Sequence, residues 1–392
     1  MRKAIWVTGL GVTCAVGRDV PSFWAALLSG ASGATRLTRF EPGNLRSSLV
    51  AEVAESAGGP PNRVDGLALT AAAEALDMAG LTALPEEGGI ALGGGVGGLP
   101  ESEEALDRYR RSGRLAPNLR GFLGHIPAHT ADVLAAAFGG HGPRVTVSNA
   151  CSSSTAALAQ AAVWIEEGET DCVLAGASDA LSRLTVGGFN CLRLVSETAV
   201  RPFDRGRNGM MVGEGAAFLL LESEERATAR AARPLAVLRG FGLAVDAHHP
   251  TAPEPRGRGA FQAMARALER AGSTPAEVDH VSAHGTGTPS NDRAEARAIA
   301  DLLGERRLEA PVVSIKGAVG HCLGAAGAIE AVASVLSLVH QIVPPCTGLM
   351  DQDPEAELYI PREAVPMELR NVLSVNLAFG GNNAAVLFGR AT

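Results

Sequence analysis

The chain has 392 residues, 46% of them apolar, enough to bury a large core and to form two or three domains. Aromatic residues make up only 4% and the net charge is −8, so the basic field and stacking surfaces of a nucleic-acid binder are both missing. Six cysteines, at 14, 151, 172, 191, 322 and 346, form no C-x-x-C pair, and His321-Cys322 alone makes no zinc site; the pattern implies no metal and a reduced, cytoplasmic setting.

Arg2-Lys3 followed by apolar residues 4–12 imitates a secretion signal, but Gly9 and Gly11 break the stretch, and residues 5–8 read equally well as a first core strand ending in a turn. Nowhere do 18 uncharged apolar residues run together, so no membrane-spanning helix is expected. Helices are predicted over 22–28 and 67–78, a strand over 90–92, and helices over 101–110 and 128–138. Gly93-Gly-Gly-Val-Gly-Gly98 satisfies G-x-G-x-x-G between a strand and a helix. A dinucleotide site also wants an acidic residue closing the next strand, and Ser112-Gly-Arg-Leu-Ala-Pro-Asn118 is no strand, which leaves a nucleotide-binding oxidoreductase as a distant alternative.

In Val145-Thr-Val-Ser-Asn-Ala-Cys-Ser-Ser-Ser-Thr155 a β-branched run ends in a thiol, and helix 156–165 follows at once. Unpaired N–H groups and the helix dipole there favour a thiolate, making Cys151 a candidate nucleophile against the plainer reading of an inert buried cysteine. Strands over 171–175, 215–221 and 235–242 and a helix over 260–271 come next, with Glu222-Ser-Glu-Glu-Arg226 read as a solvated helix start. The Pro-bearing linker Arg233-Pro234 divides the chain into 1–234, which carries Cys151, and 235–392; each portion opens with an apolar strand running into a Gly-containing turn. His248-His249 lacks a third ligand and reads as a turn or substrate rim. Two later strands end in loops that carry His284, in His284-Gly-Thr-Gly-Thr-Pro, and Lys316 with His321, ahead of a small-residue helix. Strand carboxyl ends are where α/β sites assemble, so Cys151, His284 and His321 can meet.

These segments resemble the β-ketoacyl-acyl carrier protein synthases of the elongating Cys-His-His type. The match rests on Asn149-Ala-Cys-Ser-Ser, His284-Gly-Thr-Gly-Thr-Pro, Lys316 with Gly320-His321, Gly324-Ala-Ala-Gly and Phe379-Gly-Gly-Asn-Asn, supported by Trp6-Val-Thr-Gly-Leu-Gly and Arg201-Pro-Phe-Asp-Arg-Gly-Arg-Asn-Gly. The resemblance implies an α/β thiolase-like fold, two pseudo-repeated halves layered α-β-α-β-α. It implies decarboxylative Claisen condensation of a Cys-bound acyl group with malonyl-acyl carrier protein, in fatty acid, polyene or type II polyketide synthesis.

By the same resemblance Cys151 takes the acyl group, His284 and His321 hold the enolate, and the N–H groups of Cys151 and Phe379 hold the acyl oxyanion. Lys316 is expected to pair with Glu295, and Thr286, Thr288, Phe189 and Gly380 to meet the substrate. Arg193, Arg63, Arg205 and Arg207 are expected to dock an acidic acyl carrier protein. No cofactor is implied beyond the carrier's phosphopantetheine. The expected assembly is a homodimer, or a heterodimer with a Cys-lacking chain-length-factor-like sister, with pocket walls around residues 118–125 shared across the interface. Cys-Ser-Ser-Ser at the nucleophile, Ala378 before Phe379 and Gly187-Gly-Phe-Asn-Cys-Leu-Arg-Leu-Val-Ser resemble polyene and type II polyketide enzymes at least as much as those of primary metabolism. A non-catalytic, chain-length-factor-like subunit is the alternative, against which the retained Cys151 argues.

Overall fold

The computed structural model describes residues 3–54, 62–114 and 120–391. Chain order in the first half is β1 (Ile5–Cys14), α1 (Val20–Leu28), α2 (Arg63–Met78), β2 (Gly89–Gly93), α3 (Leu99–Ser112), α4 (Ala128–Phe138), β3 (Arg144–Val147), α5 (Ser153–Glu167), β4 (Cys172–Asp179), α6 (Arg183–Cys191) and β5 (Gly215–Ser223). The second half runs β6 (Ala236–Val245), α7 (Arg258–Ala271), β7 (His280–Ser282), α8 (Pro289–Leu303), β8 (Val312–Val313), α9 (Ala326–His340), β9 (Asn371–Leu377) and β10 (Asn382–Arg390).

The strands of the first half lie in the order β1-β5-β4-β2-β3, antiparallel at the first two junctions and parallel at the last two. The second half repeats the pattern in β6-β10-β9-β7-β8, with the same directions at the same junctions. The two halves meet where Ile5–Val7 of β1 pairs antiparallel with β6. Helices α2 and α4 cover the outer face of the first five strands, α7 and α8 lie on the outer side of the second, and α5 and α9 pack against each other between them. This is an α-β-α-β-α layering of a thiolase-like fold.

Burial explains the composition of the central layer. Every residue of α9 from Ala326 to Leu338 is buried, so that helix is enclosed on all faces, and it is rich in small residues that admit close neighbours. Leu323–His340 is long and apolar enough to cross a membrane, but 89% of it is buried inside the protein, where it forms this middle layer. Helix α5 closes on Gly168 in the left-handed conformation, whose N–H returns to Ile165 and Trp164, and α6 opens on a reciprocal capping box between Ser182 and Thr185.

The predicted elements recur with longer bounds, helix 128–138 unchanged and helix 67–78 extended back to Arg63. The expected turn after residue 8 is a correction: β1 continues, with a shift of register between Val7 and Gly9, through Gly11 to Cys14. Glycine serves there to let α2 approach, since a Cβ on Gly11 would stand 1.9 Å from the Ala71 carbonyl oxygen. Gly11→Ala is therefore expected to push α2 off the sheet and destabilise the protein by about 1–3 kcal/mol or more. Chemical denaturation of the purified variant measures it, and an unchanged midpoint would refute the close-contact reading.

Candidate active site

Cys151 sits in a 3-10 turn, Ala150–Ser152, between β3 and α5, entered through Ala150 at φ +49°, a left-handed conformation that costs a non-glycine residue strain. His284 follows β7, and His321 follows the single turn Lys316–Val319 after β8. Leu323, two residues past His321, is likewise left-handed at φ +53°. The three side chains converge: the Cys151 sulfur and one nitrogen from each ring lie within 4.8 Å of one another, and the rings meet edge to face at 5.1 Å. All three are buried at the floor of a cavity of about 320 Å³, whose walls include Phe189, Leu192, Leu194 and Met210.

The hydrogen bonds behind the rings decide what the rings can do. Lys316 Nζ and Asn376 Nδ2 both lie 3.2 Å from His284 Nδ1, and both are donors. The Leu323 N–H donates to His321 Nδ1 at 3.1 Å. Each Nδ1 is thus an acceptor, which places the proton of each neutral ring on Nε2. Burial, the Lys316 charge and the neighbouring His321 hold His284 well below the ordinary imidazole range, and burial with Lys316 lowers His321 to about 3. Both histidines are therefore neutral N–H donors across the working pH range.

The Cys151 thiol is not the ready thiolate that a helix start suggests. Burial pushes it up to about 11, overriding the Lys316 charge and the Phe379 and Cys151 main-chain groups, which pull the other way. The same donor pattern argues against a metal: the three side chains are close enough to share an ion, but each Nδ1 is taken by a donor, each Nε2 carries the ring proton, and Lys316 supplies a positive charge at His284.

Two pairings differ from expectation. Lys316 pairs with Glu330 of α9, not with Glu295. The Glu295 carboxylate instead accepts the main-chain N–H groups of His284 and Gly285 at 2.6 and 2.7 Å and the Asn291 amide, so it clamps the loop rather than the lysine; burial raises it to about 8. Glu330 and Asn376 escaped the sequence reading; Glu330 is the one acid in α9, the signal that could have found it, whereas Asn376 shares β9 with Asn371 and Ser374 and offered none. Asp179 was missed too. It accepts the N–H groups of Gly95, Val96 and Gly324, so a carboxylate fills the glycine loop where a nucleotide phosphate would have to sit.

The other candidates divide. Thr286 and Thr288 are buried, 2.9 Å apart, in the cavity wall. The Phe189 and Phe379 rings meet at 5.7 Å, and the Gly380 N–H donates to Pro250, joining the Phe379 turn to the 246–254 segment that carries His248-His249. Arg193 is exposed at the end of α6 in a left-handed conformation, φ +58°, beside Leu192 and Leu194 of the cavity. Arg205 is exposed and lies 3.5 Å from Asp351. Arg63 and Arg207 are corrections: Arg63 is bound to the buried Glu214, and Arg207, 5% exposed, lies between Asp353 and Asp292, so neither offers a free charge to a partner. Of the expected pocket wall at 118–125, residues 118 and 119 fall outside the described residues, while Phe122 and His125 line a separate apolar groove against α3.

Comparison with known proteins adds to this geometry. The model for the beta-ketoacyl synthase N-terminal domain matches residues 2–227, and that for the C-terminal domain residues 235–350. The chain is 40% identical to a polyketide beta-ketoacyl synthase 1 of Streptomyces halstedii, covering 99% of this chain and 98% of that one. It is 34% identical to the 3-oxoacyl-[acyl-carrier-protein] synthase 2 of Coxiella burnetii, covering 99% of each. Among solved structures it superposes on a chain of the ishigamide ketosynthase/chain length factor with a TM-score of 0.95, 32% identity and full coverage of both chains.

The thiol's environment sets its reactivity. Alkylation of Cys151 by iodoacetamide is expected to accelerate about tenfold per pH unit up to about 11, since only the thiolate reacts. Lys316→Met removes the charge that favours the thiolate and should slow alkylation further at every pH below that point. Peptide mass spectrometry of the labelled site measures both, and a rate already saturated near pH 7 would refute this account.

Proposed function

Because the chain belongs to the β-ketoacyl synthase family, we propose that it extends acyl chains through a Cys151 thioester, with His284 and His321 as the groups that make malonyl decarboxylation fast. The observation that carries the reading is the convergence of Cys151, His284 and His321 in one buried cavity, with each Nδ1 engaged by a donor so that each ring keeps its proton on Nε2. In the first half-reaction the Cys151 sulfur attacks the carrier thioester, a new carbon–sulfur bond forms, the bond to pantetheine breaks, and the departing thiol takes the proton that Cys151 loses. The oxyanion formed on the way is assigned to the N–H groups of Cys151 and Phe379.

In the second half-reaction the malonyl thioester carbonyl accepts both ring N–H groups. Its carbon–carbon bond to the carboxylate breaks, CO₂ leaves, and the electron pair moves into an enolate whose oxygen the two histidines hold. The enolate carbon attacks the Cys151 thioester, giving the 3-oxoacyl carrier and a cysteine thiolate that regains a proton from solvent. Lys316, Glu330 and Glu295 position the histidines. Thr286 and Thr288 offer hydroxyls to the amides of the pantetheine arm, and Phe189, Phe379 and Gly380 form the wall that must move for the acyl chain to enter. These steps need no resident cofactor or metal.

The relatives named above include a polyketide beta-ketoacyl synthase and a 3-oxoacyl-[acyl-carrier-protein] synthase. The Cys-Ser-Ser-Ser turn and Ala378 favour a type II polyketide or polyene substrate. For assembly, a second subunit across the free edge of β3 fits both a homodimer and a Cys-lacking sister of the chain-length-factor kind. Free cysteines suit a cytoplasmic site of action. A scaffold role without chemistry is disfavoured because Cys151, His284 and His321 are all present and convergent.

Two measurements test this. In His284→Ala and His321→Ala, CO₂ release from malonyl carrier is expected to fall about a hundred- to a thousandfold, about 3 to 4 kcal/mol for one lost donor, while single-turnover acylation of Cys151 falls far less. Equal losses in both half-reactions would make a Cys-His general-base pair the better description. Arg193→Glu is expected to raise KM for a carrier-bound thioester by about tenfold, with a smaller change in kcat; the same rise with a free pantetheine thioester would refute carrier docking there.

A further inference from the structure

Asn376 lies on β9, fully buried, with its amide between two groups of opposite demand. Its Nδ2 donates to Glu330 Oε2 at 2.6 Å and faces His284 Nδ1 at 3.2 Å. Its Oδ1 accepts the Thr155 hydroxyl at 2.5 Å. The carboxylate fixes which way the amide points: turned over, it would set its oxygen against the Glu330 oxygen, acceptor against acceptor, while the Thr155 hydroxyl can serve either orientation. Both amide hydrogens are thereby committed, one to the carboxylate and one to the ring.

A carboxylate next to the Nδ1 of a histidine draws the ring proton onto Nδ1 and leaves Nε2 as a base, the arrangement of a hydrolytic triad. Glu330 is the carboxylate that could do this here, since Lys316 bridges it to the same ring nitrogen. We infer that Asn376 is a positioning residue that insulates His284 from Glu330, presenting a donor in place of the carboxylate so that the ring keeps its proton on Nε2 and acts as a hydrogen-bond donor rather than a base. The inference rests on the ketosynthase reading for its consequence in turnover but not for the tautomer itself.

Asn376→Asp replaces the donor with an acid and tests the idea by pH. The charged and titratable groups around the ring are Lys316, Glu330, His321, Cys151 and, on its own main-chain N–H, Glu295. At low pH a proton shared by the introduced carboxyl group, Glu330 and the ring keeps Nε2–H in place. As that proton leaves, an ionised carboxylate faces Nδ1, the remaining ring proton moves there, and Nε2 becomes bare. CO₂ release from malonyl carrier by the variant should therefore fall with rising pH, by about a hundredfold or more at the upper plateau, the loss expected for one oxyanion donor. Single-turnover acylation of Cys151 should keep the pH profile of the unsubstituted enzyme.

A variant whose CO₂ release and acylation fall together, or whose CO₂ release is lowered with no new pH dependence, would overturn the inference and leave Asn376 a packing residue. Nitrogen NMR of the full-length, ¹⁵N-histidine-labelled protein, with His284→Gln to assign the signals, reads the tautomer without any variant at Asn376. Protonated Nε2 with bare Nδ1 on His284 is the expected result, and a protonated Nδ1 sinks the proposal. Absence of CO₂ release from the unsubstituted enzyme would overturn the ketosynthase reading, while the NMR result would still decide the tautomer.

Discussion

The buried ion pair between Lys316 and Glu330 is the constraint around which the reacting centre is arranged. Both side chains are almost wholly removed from water, where two charges are tolerated only when paired and supplied with further hydrogen bonds. Asn376 provides one of those bonds to Glu330, and Lys316 turns its remaining donor capacity to His284 Nδ1. Because α9 carries Glu330 and the turn after β8 carries Lys316, the pair also fixes the central helix against the loop that leads to His321. Replacing either partner alone would strand a charge, so the geometry behind His284 is held by electrostatics as well as by packing.

The repeated topology explains how residues so far apart in sequence arrive together. β3 and β8 occupy equivalent places in the two halves, and the chain leaving them delivers Cys151 and His321. β2 and β7 are equivalent too. One leads to the glycine loop clasped by Asp179, the other to His284 on the loop clasped by Glu295. β4 ends at Asp179, and β9, its counterpart, ends beside Phe379. The site is thus the meeting of three pairs of corresponding strand ends, where open α/β sheets assemble their chemistry. In both halves a buried carboxylate ties a glycine-rich loop by its main-chain N–H groups.

Much of this was legible in the residues. A thiol at a strand-to-helix junction, histidines just past two later strands, and alternation of β-branched and Ala-rich runs pointed to an α/β class in which Cys151, His284 and His321 could meet, while the five-layer arrangement was implied by the family resemblance. Pairing was not legible. Glu295 and Glu330 are both acids within reach of Lys316 by sequence distance, and only packing shows that the first faces main-chain N–H groups while the second faces the amine. The charges of Arg63 and Arg207 misled for the same reason, since a sequence does not tell a surface guanidinium from one neutralised inside by Glu214 or Asp353. The turn expected at Gly9 failed because glycine was read as a break in the strand when it serves the approach of α2.

The state of Cys151 follows from a balance that motif reading alone puts the wrong way round. A helix start and a nearby cation both favour the thiolate, but a sulfur cut off from water lacks the solvation that would support its charge, and desolvation wins. The same desolvation holds both histidines neutral, and Lys316 adds to that effect while opposing it at the sulfur. One buried cation thus acts in two useful directions, easing ionisation of the nucleophile and preventing protonation of the donors. A pocket built this way keeps a resting thiol and reserves its preformed N–H groups for negative charge that appears only on the reacting oxygens, the condition under which fixed donors lower a barrier most.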